Sequence, residues 1–320
     1  MLDTVQDMGR HGWRHLGINP GGVMDKLSAR VANILVGNEC CNAVIELHFP
    51  ASAFFFEQTS LIALSGADFS ATVNGDEVPH LHPILVSKYS ILQFHGIVKG
   101  ARAYLAVKGG LDLSKWLGSY STHLKAGAGG FKGRALQNED EIEFGTSVDL
   151  CPKIGKKEFM VLPWKADTEW NHDSQEDIYV IPGNESDRLT DASKEEFTRQ
   201  SFTVSNQSDR MGYQLKGEPL LMNTTTEIVS SGVNFGTIQL LPGGQLIVLM
   251  ADHQTTGGFP RIAQVITADH SKLAQKKPGD VIRFKFTDLQ TAENLLLKQD
   301  RHLLQLQNAC AFRLQEFIKQ

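Results

Sequence analysis

Short apolar runs, closed off at intervals of about ten residues by turn-forming residues, constrain this chain more than any other feature. Residues 61–64 (LIAL), 84–86 (ILV), 91–94 (ILQF), 103–107 (AYLAV) and 141–144 (EIEF) are rich in branched or aromatic side chains and bounded by Gly, Asn, Asp or Pro. They read as strands. Asn74-Gly75 lies between two such runs and predicts a hairpin, because a type I′ turn needs positive φ at both central positions. This spacing favours a barrel or sandwich over a doubly wound sheet.

The second half carries strand-like runs at residues 227–229, 237–241, 245–250 and 281–284, with Pro242-Gly243-Gly244 turning the chain between two of them. Helices are few. Asp25 predicts an N-cap, Leu27, Val31, Ile34 and Leu35 share the face of the helix that follows, and Gly37 ends it. That helix is expected to plug or flank the first barrel. Helix-like spacing recurs at Ile262, Val265 and Ile266, followed by residues 272–277 before the Pro278-Gly279 break. From residue 289 to 317, leucines at 295, 296, 303, 304, 306 and 314 recur at helical spacing, so a C-terminal amphipathic helix is expected, packing on protein rather than membrane.

The two halves share residue patterns. Gln6-Asp7-Met8-Gly9-Arg10 resembles Gln207-Ser208-Asp209-Arg210-Met211-Gly212, and residues 139–144 resemble residues 278–284. We read this as an internal duplication. Residues 151–200 turn polar and acidic, and residues 178–181 (IYVI) look like the first strand of a second unit. The expected division is therefore residues 1–154, 155–287 and a C-terminal helix at 288–320.

Composition removes several function classes. Thirty-one Lys and Arg against 36 Asp and Glu give a net charge of −5 without a continuous basic face, so no nucleic acid partner is expected. No run approaches the roughly 18 apolar residues of a membrane span, and the N-terminus lacks the pattern of a secretory signal, so a cytoplasmic protein without membrane contact is expected. The four cysteines include the adjacent pair Cys40 and Cys41 and show no zinc spacing, so they read as reduced thiols. His11 and His15 would share a helix face, but the glycines around them argue for a loop and no third ligand is near. No metal site is expected.

Several polar residues fit chemistry on an anionic or amide substrate. Arg10, Arg14, Lys108 and Arg210 are cations on glycine-flanked segments, suited to a carboxylate or a phosphorylated intermediate. Gly109, Gly110, Gly257 and Gly258 would let backbone N–H groups approach an anion closely. Each has a structural counterpart: Asp25 reads as a cap rather than a catalyst, and Asp7 with Arg10 is equally suited to bracing a loop. Ser119 and Ser121 have no His and acid at the spacing of a hydrolase triad, and the glycine run at 127–133 lacks the ending of a P-loop. The stretch ADHQTTGGFP at 251–260 packs an acid, an imidazole, an amide and two hydroxyls behind a strand. A bare turn would need only its glycines, so we read it as a binding loop, with His253 as a proton carrier or as a residue orienting a carboxylate. Lys108, His253 and Asp252 are the catalytic candidates. Arg10, Arg14, Gly109, Gly110, Ser119, Ser121, Asp209, Arg210, Gln239, Gln254, Thr255, Thr256, Gly257 and Gly258 are the substrate-binding candidates.

Taken in order, residues 4–10 (TVQDMGR) with Gly12 and residues 15–17 (HLG), Met24-Asp25, residues 65–68 (SGAD), 106–110 (AVKGG), 117–122 (LGSYST), 127–133, 208–212 (SDRMG) and 251–260 resemble the allophanate hydrolase subunit 2 family. KipA and the C subunit of 5-oxoprolinase belong to that group, which is similar to the carboxyltransferase domain of urea carboxylase, and the likeness runs from residue 3 to 286. The resemblance implies a mainly β chain with a few helices, arranged as two tandem cyclophilin-like β-barrel domains with a ligand cleft shared between them. It implies a role as the C subunit of an ATP-dependent 5-oxoprolinase, which opens 5-oxoproline to L-glutamate. It also implies two partners: a KipI-like or allophanate hydrolase subunit 1-like protein, which is the B subunit of 5-oxoprolinase, and the A subunit of the same enzyme. A higher-order hetero-oligomer is an option. No cofactor is expected on this chain; ATP would be used through a partner. Two alternatives stay open: a KipA-like regulator that antagonises a KipI-like kinase inhibitor, and a carboxyltransferase-like subunit in urea or allophanate metabolism.

Overall fold

Antiparallel pairing builds nearly all of the β structure in the computed structural model, which describes residues 2–145, 150–167, 177–224 and 228–319. The chain divides into two compact units. Met1–Arg10, Asp25–Thr168 and Asp300–Gln320 form the first; His11–Met24 and Glu169–Gln299 form the second. The fold is mainly β, as the strand spacing predicts.

Among the described residues the first unit holds ten strands: β1 (Thr4–Gln6), β2 (Val44–Leu47), β3 (Phe54–Phe55), β4 (Ser60–Asp68), β5 (Ala71–Val73), β6 (Asp76–Glu77), β7 (Pro83–Val86), β8 (Ile91–Phe94), β9 (Lys99–Val107) and β10 (Phe159–Val161). Six of them make a sheet in the order β1-β2-β9-β4-β7-β10, and the others make a second sheet in the order β3-β8-β5-β6. Val5, Ile45, Leu47, Ile62, Leu64, Leu92 and Leu105 meet in one buried core. Asn74 and Gly75, at φ 53° and 94°, turn β5 into β6 as the hairpin signal requires.

Helix α1 (Lys26–Leu35) packs on β4 and β9. Asp25 caps it through Ser28 N at 3.0 Å and Ser28 Oγ at 2.6 Å. Leu27, Val31, Ile34 and Leu35 are all buried, and each contributes about 1.5–3 kcal/mol. Gly37, at φ 70°, takes the left-handed turn that ends the helix.

After helix α2 (Cys151–Ile154), the second unit adds β11 (Ile178–Pro182), α3 (Asp191–Arg199), β12 (Phe202–Val204), β13 (Gly212–Lys216), β14 (Ser231–Gly232), β15 (Thr237–Leu240), β16 (Leu246–Leu249), β17 (Thr256–Gly257), β18 (Arg261–Val265), α4 (His270–Ala274), β19 (Val281–Ile282) and β20 (Phe284–Phe286). Its large sheet runs β19-β12-β13-β16-β15-β18-β11-β20. The two end strands are separated by Arg283 alone. One bent strand therefore pairs with β12 through Phe202↔Ile282 and with β11 through Ile178↔Phe284, which brings the sheet round on itself. The core inside is built from Ile178, Val180, Phe197, Phe202, Tyr213, Ile238, Val248, Val265 and Phe284.

Three expectations change. Residues 141–144 make only one bridge, Leu111↔Phe144, because the chain opposite turns at Gly109 and Gly110 and offers no longer strand to pair with. Ile262, Val265 and Ile266 mark a strand end rather than a helix. The register between β15 and β18 shifts at Ile238/Gln239, and this bulge buries Ile262 and Ala263 consecutively, which imitates helical spacing. Of the expected strand at 227–229, Glu227 lies outside the described residues, and pairing begins only at Ser231.

Helix α5 (Leu289–Lys319) confirms the periodic tail. Leu303, Cys310 and Leu314 are buried along one face, and Arg30 pairs with Asp300 at 2.9 Å. No helix among the described residues is long and apolar enough to cross a membrane.

Candidate functional site

The loop that follows β16 is more than a turn. It carries β17, which pairs with β14 through Ser231↔Gly257 and Gly232↔Thr256, and it is braced by two arginines. Arg210 holds the Asp252 carboxylate in a fork, Nε to Oδ2 at 2.8 Å and Nη2 to Oδ1 at 3.3 Å, and also donates to the Gly22 carbonyl at 2.5 Å. Asn19 Nδ2 donates to the Asp252 carbonyl at 2.9 Å. Arg14 donates to Asn234 Oδ1 at 2.6 Å, to the Val233 carbonyl and to the Thr255 carbonyl at 3.4 Å. Such forked, charge-assisted bonds hold backbone more firmly than neutral ones.

His253 is 2% exposed and its Nδ1–H donates to the Gln254 carbonyl at 2.5 Å, which places a proton on that nitrogen. Gln239, 0% exposed, lies beneath the loop and donates from Nε2 to the Phe259 carbonyl at 3.3 Å. A Cβ on Gly257 would lie 2.5 Å from that nitrogen, so glycine is what allows the loop to close over Gln239. Gln254, Thr256 and Gly258 are exposed. Asp209 is occupied in a turn, accepting from Met211 N at 2.7 Å and Gly212 N at 3.2 Å. Below the loop, Arg261 grips Glu185 through Nε at 3.0 Å and Nη2 at 2.8 Å. The guanidinium holds the Glu185 carboxyl below the usual glutamate range.

The remaining candidates sit in the first unit as two groups. Ser119 and Ser121 both donate to Asp7 Oδ1 at 2.6 Å, and Tyr120 N donates to Oδ2 at 2.7 Å. Arg10, 1% exposed, donates to the Ser121 carbonyl at 2.5 Å and stacks on Trp116. Lys108, Gly109 and Gly110 form the second group. Lys108 Nζ donates to the Val36 carbonyl at 3.3 Å at the end of α1, where the helix dipole favours a cation, and burial lowers its pKa. Gly109 N donates to Asn38 Oδ1 at 2.9 Å and Gly110 N to the Val107 carbonyl at 3.0 Å, so both N–H groups have partners within the fold. Lys108 and His253 belong to different compact units.

Sequence reasoning passed over Asn38, which clasps Asn33, Val107 and Gly109, and Asn19 and Asn234, which receive or support the loop arginines. The placement of Asn38 directly after the helix-ending Gly37 was the available signal for the first. A small cavity of about 10 Å³ in the first unit, lined by Leu64, Asp68, Phe69, His80 and Phe94 among others, contains none of the candidates. Among the described residues no group of three or more His, Cys, Asp or Glu is arranged to hold a metal ion.

Residues 16–286 match the profile of the family described as "Carboxyltransferase domain, subdomain A and B". The chain belongs to this carboxyltransferase-domain family. Among its relatives, the C subunit of 5-oxoprolinase from Escherichia coli (strain K12) is 37% identical over 307 residues, covering 96% of this chain and 95% of that protein. The corresponding C subunit of 5-oxoprolinase from Haemophilus influenzae is 35% identical over 303 residues, covering 95% and 94%. The crystal structure of the K. lactis urea amidolyase superposes with a TM-score of 0.84 at 27% identity, covering 95% of this chain but 19% of that one. The arginine-braced loop of this carboxyltransferase-family chain falls inside the family match. Helix α5 lies beyond it.

Proposed function

We propose that this chain is the C subunit of an ATP-dependent 5-oxoprolinase and that its second unit binds 5-oxoproline, or an activated form of it, during opening to L-glutamate. One observation carries the reading: the likeness to the C subunit of 5-oxoprolinase is end to end in both chains, whereas the urea amidolyase likeness covers only a small share of a much longer one.

Opening an unactivated lactam requires a polarised carbonyl, stabilisation of developing negative charge and a placed proton donor. Gln254, Thr255, Thr256 and Gly258 offer amide, hydroxyl and backbone donors on a segment that Arg14 and Arg210 hold still. Such rigid support is what substrate positioning needs. His253 and Asp252 orient the loop from within, and Lys108 neutralises the end of α1. ATP would be used through a partner, with B-type and A-type subunits completing the assembly.

The test is to purify the chain with and without its candidate partner subunits and to measure glutamate formation from 5-oxoproline and ATP. We expect turnover only with the full set. A full set that assembles yet forms no glutamate would overturn the reading. The family description, together with the urea amidolyase relatives, favours a second one, carboxyl transfer in urea or allophanate metabolism. It would need a biotin-carrying partner, and the same preparations assayed with urea, bicarbonate and such a carrier would reveal it.

A further inference from the structure

Ser231 Oγ and Gln239 Oε1 are buried and have no hydrogen-bond partner among the described residues. They belong to one place. Ser231 stands directly opposite Gly257 in the β14–β17 ladder, and side chains of opposed residues leave the same face with Cβ atoms about 5 Å apart. A Cβ on Gly257 would meet Gln239 Nε2 at 2.5 Å, so the carboxamide and the hydroxyl lie over the same glycine. The register shift between Ile238 and Gln239 sets where that carboxamide points, and bulges often re-aim a side chain beside a site.

Buried polar atoms without a partner among the described residues take one from outside the chain, a water or a ligand, and here a carboxamide and a hydroxyl are placed beside one glycine. Their chemistry specifies the missing group. A carboxamide offers a C=O and an N–H side by side, and one Nε2 hydrogen remains after the bond to Phe259. Its complement offers an N–H and a C=O on one edge. An ordinary trans peptide puts these on opposite edges; a small ring forces the amide cis and puts them together.

We propose that Gln239 and Ser231 read the lactam of the substrate: Gln239 Oε1 accepts from the ring N–H, while Gln239 Nε2 and the Ser231 hydroxyl donate to the ring carbonyl. This rests on the 5-oxoprolinase reading and adds to it a named recognition pair, of which Ser231 has no counterpart among the candidates drawn from the sequence. Gly257 covers the buried Gln239, so entry of the ring requires the short β14–β17 ladder to open. The two donors would also polarise the carbonyl that must be opened.

Calorimetric titration of the full chain, alone and with its partner subunits, tests this with 5-oxoproline and with proline, which lacks the ring carbonyl. The parent should prefer 5-oxoproline. Gln239→Met should weaken binding about 10- to 100-fold and Ser231→Ala roughly 3- to 10-fold. Ser231→Ala should melt at or above the parent's temperature, because it removes a buried atom without a partner, where a merely structural role would lower it; Gln239→Met also loses the bond to the Phe259 carbonyl and is read by binding alone. Folded variants that bind 5-oxoproline within about twofold of the parent would remove the pair from the site and leave the 5-oxoprolinase reading standing. Equal binding of proline by the parent would also overturn the pair. A parent that binds no 5-oxoproline in either form would overturn the substrate reading and the pair with it. If Gln239→Met fails to fold, Ser231→Ala decides, since Ser231 lies on a two-residue strand outside the main sheet.

Discussion

Asp7 and Asp209 repeat one local device. Each accepts a hydrogen bond from the backbone N–H two residues on, Gly9 at 2.8 Å and Met211 at 2.7 Å, so the similar sequences around them form the same side-chain-closed turn. Their neighbours then diverge. Asp7 gathers Ser119, Tyr120 and Ser121, and Arg210 beside Asp209 turns to Asp252. The likeness of the two stretches was legible in the sequence, whereas the turn that each aspartate closes within three residues came from the structure. Ser119 and Ser121 were legible only as polar residues, since their acceptor lies more than 110 positions away. Glu185 gives a prediction at this scale. Its pKa is depressed chiefly by the Arg261 guanidinium, so its contribution is complete above the ordinary glutamate pKa and disappears as pH falls through the folded value. Glu185→Gln should cost about 1 kcal/mol at pH 7, allowing for solvent screening. Thermal melts across pH should find that difference closing below about pH 4; a gap that persists in acid would mean the carboxylate charge is not its source.

Among the elements, α5 was readable from spacing and β18 was not. Leucines recurring at helical intervals place one face of α5 inward whatever it meets, and Leu303 and Leu314 are indeed buried while Leu304 is exposed. Spacing does not say which surface receives that face. In the first unit Leu314 fills the space left by Gly37, where a Cβ would lie 2.6 Å from Leu314 Cδ1. Leu314→Ala should therefore destabilise by about 2–4 kcal/mol, and Leu304→Ala by less than about 0.5 kcal/mol. Denaturant titration of the two variants checks this; equal losses would contradict the assigned inward face. In β18 the bulge opposite Gln239 broke the alternation of period two on which strand reading depends.

At the level of the whole molecule, closure of the large sheet rests on the bent strand at Arg283. Phe284 is its inward anchor, buried and stacked on Phe197 with ring centroids 5.1 Å apart. Phe284→Ala should cost about 3–5 kcal/mol and lower the urea midpoint accordingly. A loss below about 1 kcal/mol would show that the seam does not depend on that side chain. Local sequence alone determined the strand class, the capped first helix, the Asn74-Gly75 hairpin and the amphipathic tail, because each rests on periodicity or turn chemistry within a few residues. It also marked residues 251–260 as too rich in polar groups for a simple turn. Only the tertiary structure decided that His11–Met24 is part of the second compact unit, that β19 and β20 close a sheet, and that Ser231 and Gln239 share one glycine. Those outcomes depend on partners far apart in the chain, and no local pattern records which long-range pairing satisfies the buried backbone and side-chain groups.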